Sequence, residues 1–77
     1  MNEIQIKLAN ILQDHYAPLD DPSSPKRLFL GTKFIFDFLQ SRWPSDQYTV
    51  DDVVTVLKYL KVDCVTNAKV VWLLEAK

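Results

Sequence analysis

His15 and Cys64 are the only histidine and the only cysteine in a chain of 77 residues. A thiol beside an imidazole can act as a nucleophile–base pair. These two stand on separate segments, and neither sits in a recognisable signature. A lone cysteine next to an apolar run reads as a small hydrophobe, and His15 continues the stripe of an N-terminal helix. One cysteine and one histidine cannot complete a zinc site by themselves. Two acid pairs are the other candidates. Asp20-Asp21 lies in a Pro/Ser loop without the spaced oxygen ligands of a calcium loop. Asp51-Asp52 follows a helix-start signal, where carboxylates face the positive end of the helix dipole. The sequence therefore predicts binding rather than catalysis, with no catalytic residue, metal or cofactor.

Two sets of residues suit binding. One is apolar and aromatic: Phe36, Trp43, Val71, Trp72 and Leu73, more large groups than a small core can hide. The other is polar and basic: Lys26, Arg27, Lys58, Lys61, Thr66, Asn67 and Lys69. If its members share a face, they suit phosphates and base edges.

Composition weighs between them. Nine Lys and Arg against ten Asp and Glu give a net charge of −1. Nucleic-acid binders are usually basic, because phosphate neutralisation supplies much of their affinity. Hydrophobic residues make up 48 % and aromatics 12 % of the chain, a globular composition. A single glycine, Gly31, argues against phosphate-cradling loops. One cysteine excludes an intrachain disulfide and suits a reducing, cytoplasmic setting. The first residues lack the basic start and apolar block of a secretory signal. No stretch approaches the roughly 18 apolar residues of a membrane span.

The elements that must position these residues read as helices. Ile4, Leu8, Ile11 and Leu12 recur at helical spacing between Asn2 and Tyr16. Pro18 to Pro25 is a loop. Lys26 to Leu30 reads as a short turn. Thr32 to Arg42 reads as a second helix with Phe34, Ile35, Phe38 and Leu39 on its stripe. YTVDDV opens a third: Thr49 as N-cap, Asp52 three residues on, Tyr48 and Val53 as a hydrophobic staple. The tail, KVVWLLEA, does not alternate. The sequence predicts a helix from Asn67 to Ala76, capped by Thr66, in preference to a strand.

The stretch LKVDCVT, Leu60 to Thr66, resembles the turn of a helix-turn-helix motif. Leu60, Val62, Asp63 and Thr66 fit the pattern, while Lys61 and Asn67 depart from it. That resemblance implies a DNA-binding regulator whose second helix would begin near Thr66, Asn67 and Lys69.

The expected fold is all-α, a single domain over residues 1–77 with three or four short helices. The alternative is an α+β winged helix in which VDCV and AKVVWLL form a C-terminal β-hairpin, with Trp72 on the core side. The expected function is that of a small regulatory or adaptor protein. It would bind another protein or a second copy of itself through its aromatic surface. DNA binding is the alternative, and no membrane partner is expected.

Overall fold

A computed structural model describes residues 1–66 and 69–77. It is α+β, with three helices and a four-stranded antiparallel sheet. The all-α bundle is thereby corrected. The three helices and the C-terminal β-hairpin are those of the winged-helix alternative, with two strands added between the first and second helices.

Helix α1, Glu3–His15, starts at Asn2. The Asn2 side chain accepts from the Gln5 N–H at 2.8 Å, and Gln5 Oε1 accepts in return from the Asn2 N–H at 3.4 Å. Two donors that a helix start leaves unpaired are satisfied reciprocally. Leu8, Ala9 and Leu12 are buried. The chain passes directly into β1, Tyr16–Pro18. After the loop comes β2, Arg27–Gly31, where a turn was expected. Helix α2, Thr32–Arg42, follows at once and buries Ile35 and Leu39.

Helix α3, Val50–Tyr59, begins as its sequence predicts. The Asp52 carboxylate accepts from the Thr49 N–H at 2.9 Å and from Gln5 Nε2 at 3.0 Å. Those bonds, the Thr49 N–H first, hold the Asp52 carboxyl below its usual pKa. They also tie the start of α3 to the start of α1. The staple residues Tyr48 and Val53 are both buried. The Tyr48 hydroxyl donates to the Trp43 carbonyl at 2.8 Å, and burial raises its pKa.

The resemblance of LKVDCVT to a helix-turn-helix turn has another origin. The Val62 N–H donates to the Leu57 carbonyl at 3.1 Å, and the Lys61 N–H to the Lys58 carbonyl at 3.1 Å. Lys61 is left-handed, at φ 61. This is a Schellman C-cap with a lysine where glycine is usual. Val62 then folds into the core beside Leu57. Among the described residues no second helix follows. Cys64–Thr66 is strand β3, and Val70–Ala76 is strand β4. Thr66, expected as a helix cap, ends β3. Asn67 and Ala68, the expected helix start, lie outside the described residues.

The tail is a strand because both of its edges are bonded and its inner face is buried. β2 pairs along one edge of β4, from Arg27–Glu75 to Gly31–Val71. β1 and β3 lie end to end along the other. Their junction is Leu73: its carbonyl accepts from the Leu19 N–H at 3.2 Å, and its N–H donates to the Asp63 carbonyl at 2.9 Å. Buried strands read as continuous apolar runs, which periodicity alone cannot tell from a helix. Val70, Val71 and Trp72, β-branched and aromatic, are the residues that favour a strand.

Side chains alternate along β4. Trp72 and Leu74 enter the core with Leu8, Leu12, Ile35, Leu39, Val53, Val56 and Leu57 from the helices. Trp72 is 2 % exposed, and its indole N–H donates to Thr32 Oγ1, at the first residue of α2, at 2.8 Å.

Two substitutions check this construction in urea unfolding. Thr32→Val leaves the indole N–H without its acceptor and should lower stability by about 1–3 kcal/mol; an unchanged midpoint would show the bond to be idle. Lys61→Gly relieves the left-handed backbone and should raise stability by about 1 kcal/mol; a loss of stability would contradict the cap.

Candidate functional site

The alternation that buries Trp72 turns its neighbours outward. Leu73 stands opposite Phe29 of β2, and Val71 stands opposite Val65 of β3. Residues paired in this way share a face. None of the four belongs to the core cluster or to the residues packed against it. Phe29 is 58 % exposed and Val65 45 % exposed, while Val71 and Leu73 are half-buried. The result is an apolar patch across three adjacent strands, on the face away from the core. Arg27 and Glu75, directly opposite each other, border it at one end. The Arg27 guanidinium also donates to the Ser24 carbonyl at 2.9 Å, which ties this border to the preceding loop.

The structure divides the expected aromatic set. Val71 and Leu73 come together on the outer face. Trp72, expected at the surface, is inside. Phe36 and Trp43 lie elsewhere, at the α2–α3 corner. Tyr48 stands between them, 5.8 Å from Phe36 and 5.3 Å from Trp43 by ring centroids. Lys7 Nζ covers the Trp43 ring at 4.0 Å. Both Phe36 and Trp43 are partly buried against the core. Phe29 and Val65 stand outside the expected contact set, although Phe29 is one of the chain's surplus large apolar residues. Their one signal is the strand parity of the tail, which a helical reading conceals.

The basic set is also divided. Arg27 aligns with Glu75, near the end of β4, and Lys69 precedes its start. Six strand residues at about 3.3 Å each put those positions roughly 20 Å apart. Lys26 adjoins Arg27: its carbonyl accepts from the Ala76 N–H at 3.0 Å. Lys58 and Lys61 lie together at the end of α3. Thr66 is exposed at the end of β3, and Asn67 lies outside the described residues. The start of α3 carries Asp51 and Asp52.

The nucleophile–base pair does not assemble. The His15 carbonyl accepts from the Lys77 N–H at 3.1 Å, and its ring packs edge-on against Phe38 at 5.3 Å. Cys64 is exposed and aligned with Trp72, about 17 Å away along the strand. Asp21 serves its own loop, accepting from the Ser23 N–H at 3.0 Å and the Ser23 hydroxyl at 2.8 Å. Those two bonds, the backbone one first, lower its pKa. Among the described residues, no three His, Cys, Asp or Glu side chains are grouped to hold a metal.

One pocket of about 40 Å³ opens where α1, β1 and the end of α3 meet. It is lined by Leu12, Tyr16, Pro18, Leu57, Leu60 and Val62, among others. That volume suits a small apolar side chain and falls far short of the several hundred Å³ of small-molecule sites. Among the described residues, no helix is long and apolar enough to cross a membrane. In comparison with known proteins, no family model, curated protein or solved structure matches this chain.

Proposed function

We propose that this chain is a small intracellular binding module without catalytic activity. It docks another protein chain on the outer face of its sheet, and so serves as an adaptor or regulator. The observation that carries this reading is the patch of Phe29, Val65, Val71 and Leu73. Its two outer members are about half exposed, and it lies across three hydrogen-bonded strands. A rigid apolar surface with a charged border is the form such interfaces take. Phe29 is the anchor of this surface, since exposed aromatic rings contribute most when a partner desolvates them. Trp43 and Phe36 serve the α2–α3 corner, where Lys7 and Tyr48 already cover part of their rings.

DNA binding is the second reading, and the order of elements favours it. Two helices, α2 and α3, are followed by a β-hairpin, with Lys58 and Lys61 at the end of α3 and Lys69 between the hairpin strands. Charge weighs against it. The face of a would-be recognition helix begins with Asp51 and Asp52. Lys26 and Arg27 stand at the far end of the sheet from Lys69.

The test uses Val65→Lys, which places a charge in the patch without touching the core. Wild-type protein and the variant are immobilised in parallel and exposed to the same cell extract. The proteins held by the wild type should be lost from the variant, while its thermal unfolding midpoint stays within a few degrees. Equal retention would contradict the docking face. Salt-sensitive binding to a random DNA duplex, lost in parallel with Lys58→Ala and Lys61→Ala, would favour the second reading instead.

A further inference from the structure

The two edges of this sheet are built differently. On β1 the residues that bond to β4 are the odd-numbered ones, as the Lys77-to-His15 and Leu19-to-Leu73 bonds fix. The even residues face outward. Of these, the Tyr16 N–H is held by the Leu12 carbonyl, and Pro18 has no N–H to offer. Proline on an edge is a standard protection against strand addition. The other strand on this side, β3, is only three residues long.

The β2 edge lacks such protection. The Ala76-to-Lys26 bond and the register of the pair direct the even residues of β2 toward β4. Arg27, Phe29 and Gly31 therefore direct their backbone groups away from the sheet. The Arg27 N–H is held by the Ser24 carbonyl at 3.2 Å, and the Gly31 carbonyl enters the first turn of α2 as its N-cap. Four groups remain free among the described residues: the Arg27 carbonyl, the Phe29 N–H and carbonyl, and the Gly31 N–H. This set is symmetric about Phe29. An antiparallel copy of the same strand satisfies all of it with four bonds. Phe29 N–H and carbonyl exchange with their counterparts, and each Gly31 N–H meets the other copy's Arg27 carbonyl.

The side chains brought together are compatible. Phe29 meets Phe29 on the outer face, an aromatic cross-strand pair. Leu28 meets Leu30 on the inner side. Arg27 meets Gly31, so the two guanidiniums are not opposed. Gly31 is not crowded: a Cβ there would make only an ordinary contact, with the Val70 carbonyl oxygen 4.0 Å away.

We infer that two copies of this chain associate through antiparallel β2–β2 pairing centred on Phe29. The sheets then join into one, and the two docking patches form a continuous surface. The inference deepens the binding reading by naming a second copy as the occupant of one edge.

Sedimentation velocity of the full chain from micromolar to millimolar concentration tests it, together with Phe29→Pro, Phe29→Ala and Val65→Lys. Phe29→Pro removes an N–H that takes no part in the β2–β4 ladder, so circular dichroism should report an intact fold. Phe29→Ala keeps that N–H and guards against a variant that fails to fold. The expected result is a concentration-dependent dimer. Phe29→Pro should weaken it about tenfold or more, because each dimer loses two hydrogen bonds. Phe29→Ala should weaken it less, and Val65→Lys should leave it nearly unchanged. A monomer at every concentration overturns the inference. A dimer indifferent to Phe29→Pro but broken by Val65→Lys also overturns it, and leaves the docking face standing as the contact. Unchanged partner retention by Val65→Lys, with the dimer behaving as expected, would instead sink the docking face alone.

Discussion

Val70–Ala76 is bonded along both of its edges, and the rest of the structure depends on that ladder. β2 lies on one side; β1 and β3 share the other, meeting at Leu73. Each of these strands adjoins a helix in the chain: β1 ends α1, β2 starts α2, and β3 follows α3. Fixing three strands to β4 therefore fixes the ends of all three helices. The inner side chains of β4 complete the arrangement. Trp72 fills the space between the helices, and its one polar atom reaches Thr32. A buried indole without a partner would cost more than the bond contributes, so Trp72 orients α2 as well as packing against it.

Local chemistry was legible in the sequence where it is complete within a few residues. Thr49, Asp52, Tyr48 and Val53 form a helix start from six consecutive residues, and the structure places that start where the sequence puts it. The stripe of α1 and the extent of α2 were legible for the same reason. The tail was not. β4 is apolar on both faces, because one face is core and the other is the exposed patch, so the alternation that marks a strand never appears. Read as a helix, it groups Trp72 with Leu73; read as a strand, it separates them. That single difference of period moved Trp72 from the surface to the core. β2 was missed similarly, since Leu28, Phe29 and Leu30 carry no polar residue to mark the outward position. The turn after α3 was legible as a turn. Of the residues that carried its resemblance to a helix-turn-helix corner, Val62 serves the apolar contact of the Schellman cap.

The candidate site follows from the same physics. A small two-layer fold covers one face of its sheet with helices and leaves the other to water or to a partner. Here the uncovered face presents valine, leucine and phenylalanine rather than the polar residues that usually alternate outward on a half-solvated antiparallel sheet. The charges do not converge in a way that suits phosphate. The scattered lysines and the acidic start of α3 give no continuous basic stripe along the helix and hairpin. Binding through apolar contact is the function that this arrangement supports best.

β4 has two unlike faces, one in the core and one outside it. A carbon-edited nuclear Overhauser experiment on uniformly labelled protein tests this division most directly. Cross-peaks are expected from the Leu73 methyls to the Phe29 ring and from the Val71 methyls to those of Val65. Contacts are also expected from the Trp72 indole to Thr32 and to the helix core. Contacts from Leu73 and Val71 to the buried leucines of α1 and α3, with a Trp72 indole seeing only solvent, would contradict it.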